Sequence, residues 1–288
     1  MSNLVYLNGD WIDRQDATIS VLDRGFIFAD GVYEVVRYCN GQPVAMPEHV
    51  IRMRNSLQAL RIDLPIDIDD LAEISNQAVA RNNLTDAAAY WQITRGPAPR
   101  KHKFPPPDTP PTIFVMADPA EPLILDAPTP CLTAVTVPDV RWHKCAIKSI
   151  SLLPNILAAQ AAVDADCDEA IMIRDNIVTE GSARTIAIVK NDILRTHPLG
   201  DEILSSITRQ VTLELAREAG ITVDETRFPP DQLFDADEVL ALGTTTDVAA
   251  VTHIDTEPIN AGQPGLMAQR LSTLYRQYAA AQCGIPIP

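Results

Sequence analysis

Lys148 is the only charged residue between positions 145 and 153, and apolar residues such as Ile147 and Ile150 flank it. Apolar surroundings disfavour the charged form of an amine, so a lysine placed there becomes a usable nucleophile. A neutral amine attacks an aldehyde to form a Schiff base. Most lysines are ordinary surface residues, but the neighbours of Lys148 favour a covalent role.

Glu180 follows Lys148 by 32 residues and ends a mostly apolar segment, 170–179. Taken alone, Glu180 fits a solvated loop acid equally well. A carboxylate at this place can instead keep a pyridine nitrogen protonated, which turns the ring into an electron sink. An amine for an aldehyde and an acid for a ring nitrogen together indicate pyridoxal 5′-phosphate as cofactor.

Two hydroxyl-rich segments are candidates for the phosphate of that cofactor. Ser205–Thr208 opens a predicted helix, and Thr244–Thr246 follows a predicted strand. Backbone N–H groups at a helix N-terminus bind anions. Each segment alone is more often an ordinary cap or turn. Together with a basic residue such as Arg52, the two segments would form a binding site for the doubly charged phosphate.

The segment 100–103, Arg-Lys-His-Lys, is the densest positive stretch of the chain and has prolines on both sides. A charged stretch is usually a solvated surface. Proline restricts the backbone, however, and in an extended loop Arg100 and His102 point the same way. Arginine binds carboxylates in a bidentate fork, so a substrate carboxylate is the expected ligand.

The composition limits the classes of partner. The 288 residues carry a formal net charge of −15, which argues against nucleic acid and anionic membranes. The five cysteines form no C-x-x-C pair, which argues against a disulfide framework or a zinc site. No apolar run reaches the roughly 18 residues of a membrane span, and the N-terminus lacks the pattern of a signal peptide. We therefore expect a soluble, cytoplasmic protein that binds small molecules and no metal.

Turn residues and periodicity predict the elements that must position these side chains. Asn8-Gly9 and Asn40-Gly41 predict tight hairpins, and Asp175-Asn176 a further turn. Helices are predicted over 47–61, about 68–82, 155–164, 204–219 and 266–282. Strands are predicted at 112–116, 132–137, 169–173, 177–179 and 239–242.

Prolines are concentrated between residues 97 and 130, where helix is therefore not expected. We place a functional loop near 97–111 and a linker near 118–130. The predicted fold is a mixed α/β (α+β) protein of two domains. A smaller N-terminal α/β domain spans 1–120, a larger cofactor-binding domain spans 121–288, and the cofactor cleft lies between them.

Several short motifs, in order along nearly the whole chain, resemble those of the class IV aminotransferases, the fold-type IV pyridoxal phosphate enzymes. As a set they are highly specific, although no single one is. They are Asp23-Arg-Gly-Phe26, Asp30-Gly-Val-Tyr-Glu34, Glu48-His-Val-Ile-Arg52, Thr94-Arg-Gly96, Ile147-Lys-Ser149, Val178-Thr-Glu-Gly-Ser182, Ile207-Thr-Arg209 and Thr244-Thr245.

The resemblance implies a role for each matching residue and a homodimeric assembly. Lys148 is then the catalytic Schiff-base lysine, and Glu180 is the partner of the ring nitrogen. The phosphate is assigned to Arg52, Ile207, Thr208 and Thr244, and packing on the ring to Leu204.

Within the family, the chain most resembles the D-amino acid aminotransferases. Their R-x-H pair after T-R-G matches Arg100 and His102, and a strand tyrosine matches Tyr33. The resemblance makes these three residues the trap for the substrate carboxylate, on a loop that reaches into the neighbouring subunit's active site. Branched-chain enzymes usually carry a tyrosine five residues after the lysine, where this chain has Leu153.

The chain departs from that pattern after Glu180-Gly-Ser, where the D-amino acid enzymes usually continue with small polar residues and an asparagine. Here Ala183-Arg-Thr-Ile-Ala187 follows, and we expect Arg184 and Thr185 to change the contacts around Glu180. Pro154 also replaces an expected glycine.

The predicted activity is ping-pong transamination from D-amino acids, such as D-alanine or D-glutamate, to 2-oxo acids, with Lys148 as general base and then acid. The alternatives are an L-branched-chain or (R)-amine transaminase, or a lyase of the aminodeoxychorismate type on the same scaffold. Arg100 and His102 argue against another transaminase. A non-catalytic cofactor-binding module is a remote further alternative, because Lys148 and Glu180 are both present.

Overall fold

The computed structural model describes residues 3–287, which form seven α-helices and fifteen β-strands in two sheets. The predicted mixed α/β class is confirmed. The chain divides into two compact units. The first unit holds the described residues up to Leu123, the segment Ile147–Ser151 and the chain from Ala279 on. The second unit holds Ile124–Ala146 and Leu152–Tyr278. The domain limits 1–120 and 121–288 stay a prediction.

A six-stranded sheet in the order β2-β1-β6-β5-β3-β4 forms the centre of the first unit. Its strands are β1 (Leu4–Leu7), β2 (Asp10–Asp13), β3 (Gly31–Cys39), β4 (Gln42–Pro43), β5 (Ala87–Thr94) and β6 (Thr112–Pro119). Its helices are α1 (Arg24–Phe28), α2 (Met46–Leu60) and α3 (Ile68–Arg81), with a 3₁₀ turn at Arg14–Asp16. The predicted helices over 47–61 and 68–82 and the strand at 112–116 are confirmed.

Two-residue turns close the hairpins of this sheet where the sequence predicts them. Asn8 and Gly9 have φ angles of 52° and 110°, and Asn40 and Gly41 have 52° and 71°. Turns of this kind need positive φ at both central residues, and Asn-Gly adopts that conformation at the lowest cost. The turn Asp175-Asn176 of the second unit has positive φ at both residues as well.

The core of the first unit lies where α2 and α3 cover the sheet. Met53 and Leu57 of α2 and Leu71 of α3 are buried with Trp91 of β5. Each large apolar side chain contributes roughly 1.5–3 kcal/mol when it is fully buried. This packing holds α2, and with it the side chains that α2 presents, in a fixed position on β3.

The segment Ile147–Ser151 pairs with the first residues of β3. The N–H of Tyr33 donates to the carbonyl of Lys148 at 3.0 Å, and the N–H of Ile150 donates to the carbonyl of Gly31 at 3.1 Å. Gly31 is needed here, because a Cβ atom would lie 2.6 Å from the carbonyl oxygen of Ile93. The lysine is thus held by backbone hydrogen bonds, although it belongs to no strand of its own.

The second unit is built on a nine-stranded sheet in the order β12-β11-β10-β13-β14-β7-β8-β9, and β15 also pairs with β14. Its strands are β7 (Cys131–Pro138), β8 (Glu169–Arg174), β9 (Ile177–Gly181), β10 (Thr185–Lys190), β11 (Ile193–Thr196), β12 (Thr222–Asp224), β13 (Glu238–Gly243), β14 (Asp247–Ile254) and β15 (Glu257–Pro258). Its helices are α4 (Leu153–Asp164), α5 (Ile207–Glu218), α6 (Asp231–Asp235) and α7 (Leu266–Gln282), with a 3₁₀ turn at Asn260–Gly262. The last four residues of α7 belong to the first unit.

One face of this second sheet carries an apolar cluster, in which Ile171, Ile186 and Ile188 pack with Phe228 and Leu233. The helix α5 packs against β13 and β14, and α4 packs against β7 and β8. The strands predicted at 132–137, 169–173, 177–179 and 239–242 are all present.

Two helix starts differ from the sequence prediction. Helix α5 begins at Ile207 instead of residue 204, because the hydroxyl of Ser206 accepts the N–H of Arg209 at 3.2 Å and caps the helix there. Helix α4 begins at Leu153, because Pro154 fits the first turn, where its missing N–H has no helical partner to lose. Within residues 3–287, none of the helices combines the length and the apolar character that a membrane span requires.

Candidate active site

The structure places the predicted site residues on both units. Those of the first unit are Tyr33, Arg52, Arg100, His102 and Lys148. Those of the second unit are Glu180, Leu204, Ile207, Thr208 and Thr244. Each set is described within its own unit.

The amine of Lys148 lies against the ring of Tyr33. Its Nζ atom is 4.2 Å from the ring centre, and the side chain is half-buried. The N–H of Lys148 donates to the hydroxyl of Ser56 at 3.2 Å. A cation over an aromatic face is attracted by the ring quadrupole, so the predicted nucleophile and the predicted substrate-binding tyrosine are brought together.

Arg52 is held by a buried carboxylate that the sequence analysis did not single out. Its Nε and Nη2 atoms donate to the two oxygens of Glu34, both at 2.7 Å. Nδ1 of His49 lies 2.8 Å from Oε2 of Glu34. His49 and Arg52 are three residues apart on α2 and therefore share a face. Their common partner within the chain is Glu34.

The charges in this cluster favour a fixed arrangement. Burial alone would raise the pKa of Glu34, but the charge and hydrogen bonds of Arg52, with the hydrogen bond of His49, outweigh it and hold the pKa well below its usual range. Burial lowers the pKa of His49, and the nearby charges of Arg52 and Lys148 lower it further. At neutral pH Glu34 is therefore ionised and His49 is neutral, so Glu34 orients Arg52.

Arg100 and His102 lie against the same aromatic ring. The guanidinium carbon of Arg100 is 5.4 Å from the centre of the Phe28 ring, and the two rings of His102 and Phe28 are 5.6 Å apart. Arg24 also lies over this ring, and its Nη1 donates to the carbonyl of Lys101 at 2.7 Å. Within residues 3–287, no hydrogen bond, ion pair or ring contact joins Arg100 or His102 to Tyr33.

Glu180 lies near the end of β9 and is buried. A guanidinium nitrogen of Arg141 donates to its Oε1, and the N–H of Leu204 lies 3.2 Å from each carboxylate oxygen. Burial raises the pKa of Glu180, while Arg141 and the Leu204 N–H oppose that rise. A buried acid with a raised pKa is suited to sharing a proton with a basic ring nitrogen.

Arg141 belongs to a buried hydrogen-bond network that holds Glu180 in place. Its Nη2 donates to Asp139 at 2.8 Å, and Asp139 also accepts from Arg174 and from the hydroxyl of Thr179, both at 2.8 Å. Burial alone would raise the pKa of Asp139, but Arg141 outweighs it and lowers the pKa to about 2. Two arginines balance two carboxylates, so Glu180 is oriented by a rigid and neutral set of charges.

The two predicted phosphate segments are present in the second unit. Ile207 and Thr208 form the buried first turn of α5. Thr244–Thr246 forms the turn from β13 to β14, and the N–H of Thr246 donates to the carbonyl of Gly243 at 3.1 Å. The hydroxyl of Thr185, at the start of β10, is buried without a hydrogen-bond partner.

The side chain of Arg184 has its partners on β8 and in the turn Thr244–Thr246, and its expected influence on the surroundings of Glu180 stays a prediction. Its side chain donates to Glu169 at 2.7 Å and to the hydroxyl of Thr246 at 2.8 Å. In the described part of the chain it makes no contact with Glu180, whose partners are Arg141 and Leu204. The reason is the buried carboxylate of Glu169, a stronger partner for a guanidinium than a carboxylate that Arg141 already neutralises.

No local sequence pattern indicates the supporting roles of Glu34, Phe28, Asp139, Arg141 and Glu169. Glu34 and Glu169 each lie in a strand whose neighbouring residues are buried. A carboxylate in such a place indicates a buried ion pair, because buried charges are almost always paired. The sequence does not show which residue forms the pair.

Comparison with known proteins places the chain in a defined group. The family model described as amino-transferase class IV matches residues 31–254. The chain is 36% identical to the D-alanine aminotransferase of Staphylococcus epidermidis over 278 residues, covering 95% of this chain and 97% of that protein. It is 36% identical to the Bacillus licheniformis D-alanine aminotransferase over 272 residues, covering 93% and 94%.

Among solved structures, the branched-chain aminotransferase of the archaeon Thermoproteus uzoniensis with norvaline superimposes with a TM-score of 0.87 at 25% identity. The match covers 99% of this chain and 96% of that chain. The Escherichia coli branched-chain aminotransferase gives a TM-score of 0.87 at 25% identity, covering 94% and 92%. The same fold thus occurs in proteins named for different amino acids.

Proposed function

We propose that this chain, which belongs to the class IV aminotransferases, transfers the amino group of D-amino acids to 2-oxo acids. The observation that carries the proposal is the placement of Arg100 and His102 against the ring of Phe28, since a guanidinium and an imidazole on one loop can both bind a carboxylate. The relatives named as D-alanine aminotransferases are also more similar in sequence, at 36%, than these two branched-chain structures at 25%.

The cofactor of the family is pyridoxal 5′-phosphate, and the residues present fit it. The chain offers a half-buried amine at Lys148, a buried acid at Glu180 and hydroxyls beside a helix N-terminus at Thr208. The unpaired buried hydroxyl of Thr185 is a further polar group without a partner in the protein. When bound, the cofactor supplies an aldehyde for the amino group and a ring that withdraws electrons from the α-carbon.

When the cofactor is bound, the amine of Lys148 would hold its aldehyde, and the substrate's amine would take that place. The freed Nζ of Lys148 would then remove the proton from the α-carbon as general base and, as general acid, deliver it to the carbon of the former aldehyde. Tyr33, whose ring lies 4.2 Å from this atom, fixes the direction from which the amine approaches. The carboxylate of Glu180 keeps the proton on the ring nitrogen, and Arg141 and Leu204 keep that carboxylate in place.

The phosphate is assigned to Arg52, Ile207, Thr208 and Thr244, with Leu204 packing on the ring. Glu34 sets the orientation of the Arg52 guanidinium through two hydrogen bonds. The first turn of α5 presents N–H groups and the positive end of the helix dipole, both favourable for an anion.

We also propose that the enzyme is a cytoplasmic homodimer. Support for the dimer comes from an apolar face of α4, whose members are each at least 59% exposed in the single chain: Leu153, Ile156, Leu157 and Val163. Exposed apolar patches of this kind mark interaction surfaces, and a second copy of the chain is the proposed partner. Support for the compartment comes from the cysteines, all five of which are free thiols.

The direct test is the response of the purified enzyme to single substrates. We expect D-alanine to change the absorption of the bound cofactor, and 2-oxoglutarate or pyruvate to restore it. L-Leucine should have little effect. An equal or larger response to L-leucine would support a branched-chain enzyme and overturn the D-amino acid proposal. Release of pyruvate from aminodeoxychorismate over many turnovers without an amino acceptor would support a lyase.

A second measurement tests the cofactor bond itself. Reduction with borohydride followed by peptide mapping should leave the cofactor attached to Lys148. The variant Lys148→Ala should carry no such adduct, while Lys144→Ala, which removes a lysine in an exposed ion pair with Asp201, should behave as wild type. Absence of any adduct at Lys148 would overturn the proposed mechanism as a whole.

A further inference from the structure

Arg184 connects two distant parts of the second unit. Its Nη1 atom donates to Oε2 of Glu169 on β8 at 2.7 Å. Its Nε atom donates to Oγ1 of Thr246 at 2.8 Å, in the turn Thr244–Thr246. One planar guanidinium therefore joins a strand residue and a turn residue that are 77 positions apart in the sequence.

Glu169 is a rigid anchor for this arginine. Its side chain is fully buried, and its Oε1 accepts from the N–H groups of Ala170 and Ser182, both at 2.8 Å, and from the hydroxyl of Ser182. With Arg184 on Oε2, both carboxylate oxygens have donors. Charge-assisted hydrogen bonds of this kind are the strong ones in protein interiors, so the position of Arg184 is well determined.

Two glycines leave room for the pair. A Cβ atom on Gly181 would lie 3.0 Å from the carboxyl carbon of Glu169. A Cβ atom on Gly243 would lie 3.1 Å from Cγ of Arg184. Both distances are shorter than ordinary van der Waals contacts. Side chains at these two positions would therefore push the ion pair away, and Gly243 directly precedes the turn that Arg184 contacts.

We propose that Arg184 is a positioning residue, which holds the turn Thr244–Thr246 in the conformation that binds the cofactor's phosphate. This inference rests on the proposed function, in which Thr244 contacts that phosphate. The charge of Arg184 is compensated by Glu169, so its contribution is the hydrogen bond to Thr246 and the geometry that this bond imposes. Where the family pattern has a small polar residue, this chain thus has an arginine that holds the turn Thr244–Thr246 in place.

The test compares two ligands that differ only in the phosphate. Dissociation constants of pyridoxal 5′-phosphate and of pyridoxal are measured on the cofactor-free protein by equilibrium dialysis. We expect Arg184→Ala to weaken binding of the phosphorylated ligand by about tenfold, the effect of losing one well-oriented hydrogen bond. Binding of pyridoxal should change by less than about twofold, because this ligand does not use the turn.

Substitutions at Thr246 separate the hydrogen bond from the ion pair. Thr246→Val removes the acceptor for Arg184 and leaves the pair with Glu169, so it should reproduce the selective loss without the risk of unfolding. Thr246→Ser keeps the hydroxyl and should bind as wild type. The double variant Arg184→Ala with Thr246→Val should be no weaker than either single variant, because both remove the same bond.

Three further outcomes would overturn the positioning role. Wild-type binding in Arg184→Lys would show that the positive charge alone attracts the phosphate. A lysine cannot form both hydrogen bonds of the planar guanidinium, to Glu169 and to Thr246. An equal loss for both ligands would show a general structural role. Unchanged binding in Arg184→Ala and Thr246→Val would show no role at all. The control is Arg195→Ala, which breaks the ion pair with Asp224 in the same sheet and should change neither constant.

Failure of the phosphate assignment is recognised separately. If Thr244→Val leaves binding of pyridoxal 5′-phosphate unchanged, the assignment of Thr244 is wrong, and the inference about Arg184 falls with it. If Thr244→Val weakens that binding and Arg184→Ala does not, the phosphate site stands and the positioning role alone is refuted.

Discussion

At the scale of single residues, the charged side chains proposed for the chemistry are each held in place by a second buried residue of opposite charge. Arg52 is placed by Glu34, and Glu180 is placed by Arg141, through hydrogen bonds inside the respective unit. A buried charge without its partner is costly, so each supporting residue is tied to both stability and function. Substitutions at Glu34 and at Asp139, which binds Arg141, test these two arrangements.

Glu34→Gln should destabilise the protein strongly, because it leaves the buried guanidinium of Arg52 without its counter-charge. We expect the free energy of unfolding to fall by about 3 kcal/mol, measured by urea denaturation, together with weaker binding of the cofactor. The matched control is Asp69→Asn, which breaks an exposed pair with Arg54 and should cost about 0–1 kcal/mol. Similar small losses in both variants would contradict the orienting role of Glu34.

Asp139 should make the protein sensitive to acid. Its pKa in the folded state is about 2, below the value of about 3.9 for an unfolded chain. A lowered pKa stabilises the folded state above the unfolded value, and this stabilisation is lost as the pH falls through the folded value. We expect the urea midpoint to fall between pH 4 and pH 2, and less steeply in Asp139→Asn. Identical slopes in the two proteins would refute this contribution.

At the scale of elements, short segments hold the side chains that we propose as the substrate-binding residues. Helix α1 has only five residues, yet its Phe28 supports both members of the proposed carboxylate trap. Arg24 of the same helix binds the loop backbone at Lys101 and also the carboxylate of Asp30. The proline-rich loop is therefore ordered by its contacts with α1 as well as by its own prolines.

Phe28→Leu should affect substrate binding more than catalysis, because the flat ring that supports Arg100 and His102 is lost. We expect KM for D-alanine to rise by about fivefold to tenfold, consistent with the loss of a cation–π contact, with little change in kcat or cofactor affinity. Arg100→Ala should show the same pattern more strongly. Phe26→Leu changes an exposed ring of the same helix and serves as control. A fall in kcat with unchanged KM would contradict the role of Phe28.

At the scale of the whole molecule, the apolar face of α4 is the feature that a single chain leaves unexplained. Leu153, Ile156, Leu157 and Val163 project within one side of the helix. Burial of such side chains against a second copy would contribute roughly 25 cal/mol per Å² of apolar surface removed from water.

The double variant Ile156→Glu with Leu157→Glu should therefore separate the subunits. We expect light scattering to show twice the chain mass of 31.5 kDa for the wild type and one chain mass for the variant. Leu266→Glu, at an exposed position at the start of α7, should keep the wild-type mass. A single-chain mass for the wild type, or an unchanged mass for the variant, would refute the proposed interface.

The local sequence was sufficient for features that depend on neighbouring residues. Asn-Gly and Asp-Asn turns were predicted because only a few residue types adopt positive φ at low cost. Helix α2 was predicted from its apolar stripe, and a second helix was predicted over about 68–82, where α3 lies. The start of α5 was misplaced by three residues, because the hydrogen bond that makes Ser206 the cap is not visible in the local sequence.

The sequence by itself determined which groups are available for chemistry: an amine at Lys148, an acid at Glu180 and a positive loop at Arg100 and His102. Only the tertiary structure decided which charges support them. Glu34 on β3 meets Arg52 because α2 packs on the sheet, and Arg184 meets Glu169 and Thr246 because the folded second sheet brings these residues together. Such partners depend on long-range geometry, and no local pattern of residues contains that information.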